Sequence, residues 1–281
     1  PGIVLNIFLL YLIKRFSRKD LGTYKNLLTL FATYDIFLIF LHTAINVRAV
    51  ITDELYGVMS ASFPEYLASI SIYGSSFMVP FSLLIIHFIY RYWVIRIPCN
   101  MRICDNFDLV SLHSPNFSCL TMYIRFCLCQ FGLDTNETGY LEARLNLASL
   151  HNRSYIDGWF LFQPNGRITL RTVINLLAFD GIMTVMSMIS IILAVLTFLR
   201  IHDETTLSAN AKHSQLKILF AVCVQTIVPF VFVYSPYLML FNLPLLGYRT
   251  PLAAANITPF VHSIFPMLDA LVVILLMRDY R

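Results

Sequence analysis

The chain has 281 residues, of which 58% are hydrophobic and 13% are charged, and its net charge is +4. Soluble domains carry about 25% charged residues, so this composition excludes a soluble globular protein. The basic residues cluster in short segments between apolar runs, which is the pattern of membrane loops rather than of a nucleic-acid surface. We therefore expect a multi-pass membrane protein that is surrounded by lipid and has no nucleic-acid partner.

Seven apolar runs predict membrane spans, because a helix needs about 20 apolar residues to cross a bilayer. They lie at residues 2–13, 26–50, 66–90, 117–133, 172–199, 216–241 and 252–277. The first run is short, so we expect the chain to begin inside span one. The fourth is weak, because Arg125 near its centre costs roughly 2.5–3.5 kcal/mol on insertion scales. The predicted fold is an all-α membrane protein, a single domain of seven helices.

The distribution of basic residues predicts the orientation of this bundle. With the N-terminus outside and the C-terminus in the cytoplasm, 13 of the 20 Lys and Arg residues lie inside and six lie outside. This asymmetry follows the positive-inside rule. Asn136 and Asn152 begin Asn-x-Thr and Asn-x-Ser sequons in the long outside segment 134–171, where we predict glycosylation.

Cysteine spacing and short motifs indicate neither a metal site nor a catalytic site. Five of the six cysteines fall between residues 99 and 129, and Cys127 and Cys129 have no second pair or histidine at ligand spacing. The sequence contains no phosphate-binding glycine loop, nucleophile elbow or HExxH motif. We therefore predict that the protein is not an enzyme and uses no metal or cofactor.

Four stretches resemble the Str superfamily of nematode serpentine chemoreceptors, which are seven-helix G-protein-coupled receptors. They are LGTYKNLL at 21–28, HFIYRYW at 87–93, QLKILFAVCVQTIVPFVFVYSP at 215–236 and FPMLDALVVILLMRDYR at 265–281. Residues 99–133 do not look like the family's fourth span, and Phe265 and Ala270 replace an expected Tyr and Pro. The resemblance implies a plasma-membrane receptor of a sensory neuron, often ciliary, that binds a small chemical ligand and signals to a heterotrimeric G protein.

The polar residues inside the spans fall into three sets by their depth along each predicted helix. The predicted ligand pocket, in the outer half, consists of His42, Asn46, Tyr73, Ser76, Asn175, Asp180, Tyr234, Tyr237 and His262. The predicted G-protein face consists of Arg91, Tyr92, Arg200, Lys212 and Lys217. Structural hydrogen bonds between helices would explain several of the pocket residues, and membrane anchoring would explain the basic ones.

The third set is a predicted inner polar layer of Asn6, Asp35 and Asp269. At about 1.5 Å per residue they lie roughly 12, 15 and 13 Å from the cytoplasmic face, so they share one depth. Two neighbouring carboxyl groups cannot both stay charged without a counter-ion, so they share a proton or hold a cation such as sodium between them. The layer is either a switch for span seven or a structural knot of hydrogen bonds.

Two other interpretations of the sequence stay open at this point. A transporter or a ligand-gated channel also has many spans, although a seven-helix channel with its N-terminus inside conflicts with the charge distribution. A decayed receptor would have lost its fourth span through the irregular residues 99–133.

Overall fold

The computed structural model describes residues 1–16, 24–52, 55–96, 118–128, 138–162, 170–205, 208–246, 248 and 252–276. The helices in these ranges are α1 (Gly2–Phe16), α2 (Tyr24–Ile45), α3 (Leu67–Ser76), α4 (Met78–Arg96), α5 (Ser118–Leu128), α6 (Thr138–Leu150), α7 (Leu170–Asp203), α8 (Ala209–Pro229), α9 (Ser235–Asn242) and α10 (Leu252–Leu276). A π-helical turn, Phe230–Tyr234, joins α8 to α9, and a 3-10 turn, Pro244–Leu246, follows α9.

Within the described ranges, five helical stretches are long and apolar enough to cross a membrane. They are Lys25–Ile45, Leu67–Trp93, Thr172–Asp203, Ala209–Asn242 and Ile257–Leu276. Two of these stretches contain consecutive helices, α3 with α4 and α8 with α9, so predicted spans three and six are both irregular. Helix α1 has 15 residues, and the short apolar helix α5 lies within predicted span four.

Helix α7 presents a broad apolar surface to its surroundings. Ile174, Leu177, Val185, Met188 and Ile192 on this helix are all exposed. Exposing such an apolar surface to water costs free energy, whereas contact with the apolar tails of lipids does not. The exposed face of α7 is therefore the kind of surface that lies against lipid.

Helix α2 ends five residues earlier than the predicted bound of span two. Asn46, directly after Ile45, has a φ of 49°, a left-handed conformation that asparagine adopts more easily than most residues. The next residues, Val47–Ile51, form strand β1. Hydropathy could not reveal this change, because an apolar run reads alike as buried helix or buried strand.

The end of predicted span two and the segments predicted as outer loops contain a three-stranded antiparallel sheet that the sequence analysis missed. It consists of β1 (Val47–Ile51), β2 (Leu55–Ser60) and β3 (Gly158–Phe162) in the order β1-β2-β3. The register pairs Val47 with Ser60 and Met59 with Gly158. This sheet lies where α2 ends and α3 begins, and we call this side of the protein the sheet end.

The sheet is buried on both faces, because alternate residues of a strand point in opposite directions. Val50, Leu55 and Phe160 pack with helix α6 in one apolar cluster. Tyr56 and Trp159, from the opposite face, pack with the helices of the membrane bundle in another. The sheet therefore lies between α6 and the bundle.

An ion pair ties α6 to the start of strand β3. The Arg144 guanidinium lies 3.0 Å from a carboxylate oxygen of Asp157 and donates a hydrogen bond to the carbonyl of Ile156. Burial raises the pKa of the Asp157 carboxyl, although the positive charge of Arg144 opposes that rise. Removing one partner of a buried pair leaves the other uncompensated, so this contact holds α6 on the sheet.

Gly57→Ala is expected to destabilise the sheet. A Cβ atom at Gly57 would lie 2.1 Å from the backbone carbonyl oxygen of Trp159, so β2 and β3 could not keep their pairing. Overpacking of this kind costs about 1–3 kcal/mol or more, and we expect a lower melting temperature of the purified protein. The matched control is Gly181→Ala in α7, where an added Cβ meets no atom within 4 Å. Equal stability of the two variants would contradict the described pairing.

Candidate functional site

A cavity of about 80 Å³ lies between the sheet and the membrane helices. Roughly 10–15 Å³ of such space holds one water molecule, so this cavity has room for a ligand of several non-hydrogen atoms. Its wall comes from all three strands and from α3, α4, α5, α7, the π-helical turn, α9 and α10. Among the described residues, twenty line the cavity, and eight of them are Phe, Tyr or Trp.

The aromatic rings of this wall pack against one another. Ring centroids are 4.3 Å apart for Phe179 and Tyr237, 4.8 Å for Tyr237 and Phe241, and 4.6 Å for Phe241 and Trp159. The chain of contacts runs from α7 through α9 to strand β3. Aromatic pairs at these separations add about 0.5–1.5 kcal/mol beyond the area they bury. Trp159 was missed in the sequence because its segment read as an outer loop.

Arg125, which made span four look weak, is part of the cavity wall. Its side chain is 8% exposed, and its guanidinium carbon lies 3.7 Å from the centroid of the Phe179 ring and 5.9 Å from that of Tyr237. A cation–π contact contributes about 0.5–2 kcal/mol, which offsets part of the roughly 2.5–3.5 kcal/mol insertion cost. Facing the bundle interior keeps the charge out of the lipid.

Four of the nine predicted pocket residues line this cavity. They are Tyr73, Tyr234, Tyr237 and His262. A fifth, His42, lies behind them, and its Nδ1 atom is 2.8 Å from the hydroxyl oxygen of Tyr73. The structure therefore brings together residues from predicted spans two, three, six and seven.

The other four predicted pocket residues lie elsewhere among the described residues. Asn46 is exposed at the junction of α2 and β1. Ser76 is buried and donates a hydrogen bond to the carbonyl of Ile72. Asn175 is buried on α7, and Asp180 is half-buried on the same helix. Depth alone could not separate these residues, because it does not say which face of a helix looks inward.

The cavity lies beside the irregular points of two spans. Phe77, which separates α3 from α4, lines it, and so do Val233 and Tyr234 of the π-helical turn. His262 on α10 bonds the Val233 carbonyl at 3.3 Å. π-Helical turns frequently occur at functional sites, and they displace side chains from the regular helical spacing.

The three residues of the inner polar layer lie together in the bundle, each at most 2% exposed. The Asn6 amide donates to the Pro266 carbonyl at 3.0 Å, one turn before Asp269 on the same helix. The carboxyl groups of Asp35 and Asp269 lie close enough to interact electrostatically. Gln225 of α8, which the sequence analysis did not single out, donates to the two Asp269 oxygens at 3.4 and 3.3 Å. The layer thus joins α1, α2, α8 and α10.

The basic residues predicted as a G-protein face lie at the end of the bundle opposite the sheet. Arg91 is 4% exposed, and its Nη1 atom donates to the Gln215 side chain at 3.4 Å. Arg200 pairs with Glu204 at 3.3 Å, and Lys212 donates to the His202 carbonyl at 2.9 Å. Tyr92 is half-buried and Lys217 is exposed.

The two predicted glycosylation sites differ in what can be described. Asn152 is exposed in the turn after α6, where its φ of 57° is left-handed. Asn136 lies outside the described residues. The exposure of Asn152 on the sheet end leaves room for a glycan.

Comparison with known proteins assigns the family. The model of the family described as serpentine type 7TM GPCR chemoreceptor Str matches residues 2–281. The chain belongs to this family. Serpentine receptor class r-10 of Caenorhabditis briggsae is 25% identical over 292 residues, covering 98% of this chain and 84% of that protein. The protein of the same name from Caenorhabditis elegans is 25% identical over 291 residues, with the same coverage.

The resemblance drawn from the four sequence stretches is therefore confirmed. The receptor is a multi-pass membrane protein of the seven-helix GPCR class. The match extends through residues 99–133, where the sequence departed most from the expected pattern.

Replacing both carboxyl groups of the inner layer, by Asp35→Asn with Asp269→Asn, is expected to leave a folded receptor. Asparagine keeps the shape and hydrogen-bonding capacity but removes the charge and the proton or cation between the groups. We expect the melting temperature of the wild type to depend on sodium and pH, and that of the double variant to lose this dependence. Asp180→Asn, a half-buried aspartate outside the layer, is the control. A double variant with undiminished sodium and pH dependence would leave only a structural role for the layer.

Proposed function

We propose that the receptor binds a small chemical ligand in the aromatic cavity and signals to a heterotrimeric G protein at the opposite end of the bundle. The observation that carries this proposal is the cavity, whose wall includes residues from spans three to seven. Ligand sites are typically concave, mostly apolar and supplied with a few placed polar groups. The four tyrosine and histidine residues named above and Arg125 are those polar groups.

The position of the cavity supports a route from ligand to G protein. Ligand contacts at Phe77 and at Val233 and Tyr234 act on the irregular points of spans three and six. The inner ends of these two spans meet through the hydrogen bond between Arg91 and Gln215. A ligand that favours one arrangement of the irregular turns therefore shifts the balance between closed and open inner ends.

The orientation that fits this function has the sheet end outside. The positive-inside rule favours it, since Arg200 of α7 and Lys212 and Lys217 of α8 lie at the inner end. A ligand then reaches the cavity from outside the cell, and a G protein reaches Arg91, Tyr92, Arg200, Lys212 and Lys217 from the cytoplasm. We place the receptor in the plasma membrane, and the family favours the ciliary membrane of a sensory neuron.

Arg91 and Gln215 provide a pair of tests with opposite outcomes. Arg91→Ala should reach the cell surface and lose the ligand-evoked calcium or cyclic-nucleotide response, because the G protein loses its cationic contact. Gln215→Ala should raise the response without ligand. A single hydrogen bond contributes about 0.5–1.5 kcal/mol, so its loss shifts the closed–open balance roughly two- to tenfold.

Two results would count against this function. Normal signalling by Arg91→Ala would show that Arg91 is not part of the surface that binds the G protein. A ligand-evoked ion flux or substrate uptake that persists in cells lacking heterotrimeric G proteins would favour a channel or a transporter. Surface expression of each variant, measured with an extracellular tag, controls for misfolding.

A further inference from the structure

Arg125 is the one arginine or lysine among the described residues that line the cavity. It lies in helix α5, well inside the bundle, with its guanidinium stacked at 3.7 Å on the Phe179 ring. Stacking on a ring fixes the plane of a guanidinium and directs its N–H groups outward from the ring edge. A guanidinium held in this way is prepared to bind an oxyanion through two parallel hydrogen bonds.

The charges around the cavity favour an anion. Its described lining residues include the cationic side chain of Arg125 but no Asp or Glu. The half-buried carboxyl group of Asp180, next to Phe179 on α7, is not among these lining residues. The acidic pair of the inner layer lies deeper, with Asp269 seven residues, or roughly 10 Å along α10, from His262. A ligand in the cavity therefore meets positive charge and aromatic surface.

The residues around Arg125 also favour a particular chemistry for the part of the ligand that carries no charge. Phe77, Phe81, Trp159, Phe179 and Phe241 give an apolar wall that suits an alkyl or aromatic body. Because the wall is mostly apolar, the local dielectric constant is low, which strengthens an ion pair inside the cavity. A small inorganic anion would leave this wall unused.

We propose that the ligand of this receptor is a small organic carboxylate with an apolar or aromatic body, and that Arg125 binds its carboxylate group. This inference rests on the proposed function, because it names the chemical class of the ligand of the same cavity. Arg125, which makes insertion of span four into the membrane less favourable, is then the residue that determines specificity for carboxylates.

The test compares carboxylates with uncharged molecules of the same shape. The probes are hexanoate with 2-heptanone, and benzoate with acetophenone, at pH 7 where both acids are ionised. Binding is read as the shift in melting temperature of the purified full-length receptor in lipid nanodiscs, and signalling as the calcium response of expressing cells. We expect the carboxylates to stabilise and activate the wild type at concentrations at least about tenfold lower than the ketones, a coupling typical of one specific charged contact.

The variants separate Arg125 from the rest of the cavity. Arg125→Gln should raise the half-maximal concentration of the carboxylates at least about tenfold and leave that of the ketones unchanged. Arg125→Lys keeps the charge but loses the two parallel donors of the guanidinium. Its half-maximal concentration for the carboxylates should lie between those of the wild type and Arg125→Gln. Arg153→Gln changes an exposed arginine in the turn after α6 and should behave as the wild type.

The wild-type comparison decides the question even if Arg125→Gln does not reach the surface. Failure of both carboxylates to stabilise the receptor, or ketones that are equally potent, overturns the inference. Unchanged carboxylate potency in a folded Arg125→Gln variant also overturns it. Carboxylates that stabilise the receptor without a cellular response would support the inference and contradict the G-protein function. If the ketones evoke a response and the carboxylates do not bind, the G-protein function is supported and the inference is overturned.

Discussion

The Arg125 guanidinium lies 3.7 Å from the centroid of the Phe179 ring, and much of the fold follows from the need to keep this charge out of lipid. A helix with a central arginine can pack in a bilayer only if the arginine faces the protein interior. That requirement sets the rotation of α5 and brings it against α7, which carries Phe179. Phe179 in turn packs on Tyr237 of span six. The contacts of Arg125 with Phe179 and of Phe179 with Tyr237 thus join spans four, five and six around the cavity.

The same rule organises the opposite half of the bundle. Asn6, Asp35, Gln225 and Asp269 are polar groups at membrane depth, and each is at most 2% exposed. They come from four helices and lie inside the bundle instead of facing lipid. Spans six and seven contribute to this layer and to the cavity wall, so a shift of either helix alters both. Because the same two helices contribute to both sites, the bundle is suited to a two-state response.

The sequence predicted the helical membrane fold because hydropathy and charge distribution act over whole spans. The depth of Asn6, Asp35 and Asp269 likewise followed from counting residues along straight helices. The sheet was missed, since Val47–Ile51 continues the apolar run of α2 and only the left-handed Asn46 marks the change. For the pocket, the depth of each residue along its helix predicted the tyrosines and His262 that line the cavity. Depth does not distinguish the inward face of a helix from its outward face.

Arg125 and Trp159 show a different limit. The sequence presented Arg125 as a defect of span four, because the cost of a charge in lipid can be read from one segment. Its compensation by Phe179 requires a second, distant segment. Trp159 enters the cavity wall only because β3 pairs with β2 across about a hundred residues of chain. Contacts of such separation leave no periodic signal in a single sequence.

The most direct test of the account is to fill the cavity. Gly74 of α3 lines it, and a Cβ added there meets no atom within 4 Å. The Gly74→Leu receptor should therefore fold and reach the surface while its side chain occupies the ligand space. We expect the response to an activating ligand to be lost, whereas Gly181→Leu, which also places its Cβ in open space but outside the cavity, keeps it. An unchanged dose–response curve for Gly74→Leu would show that the ligand binds elsewhere.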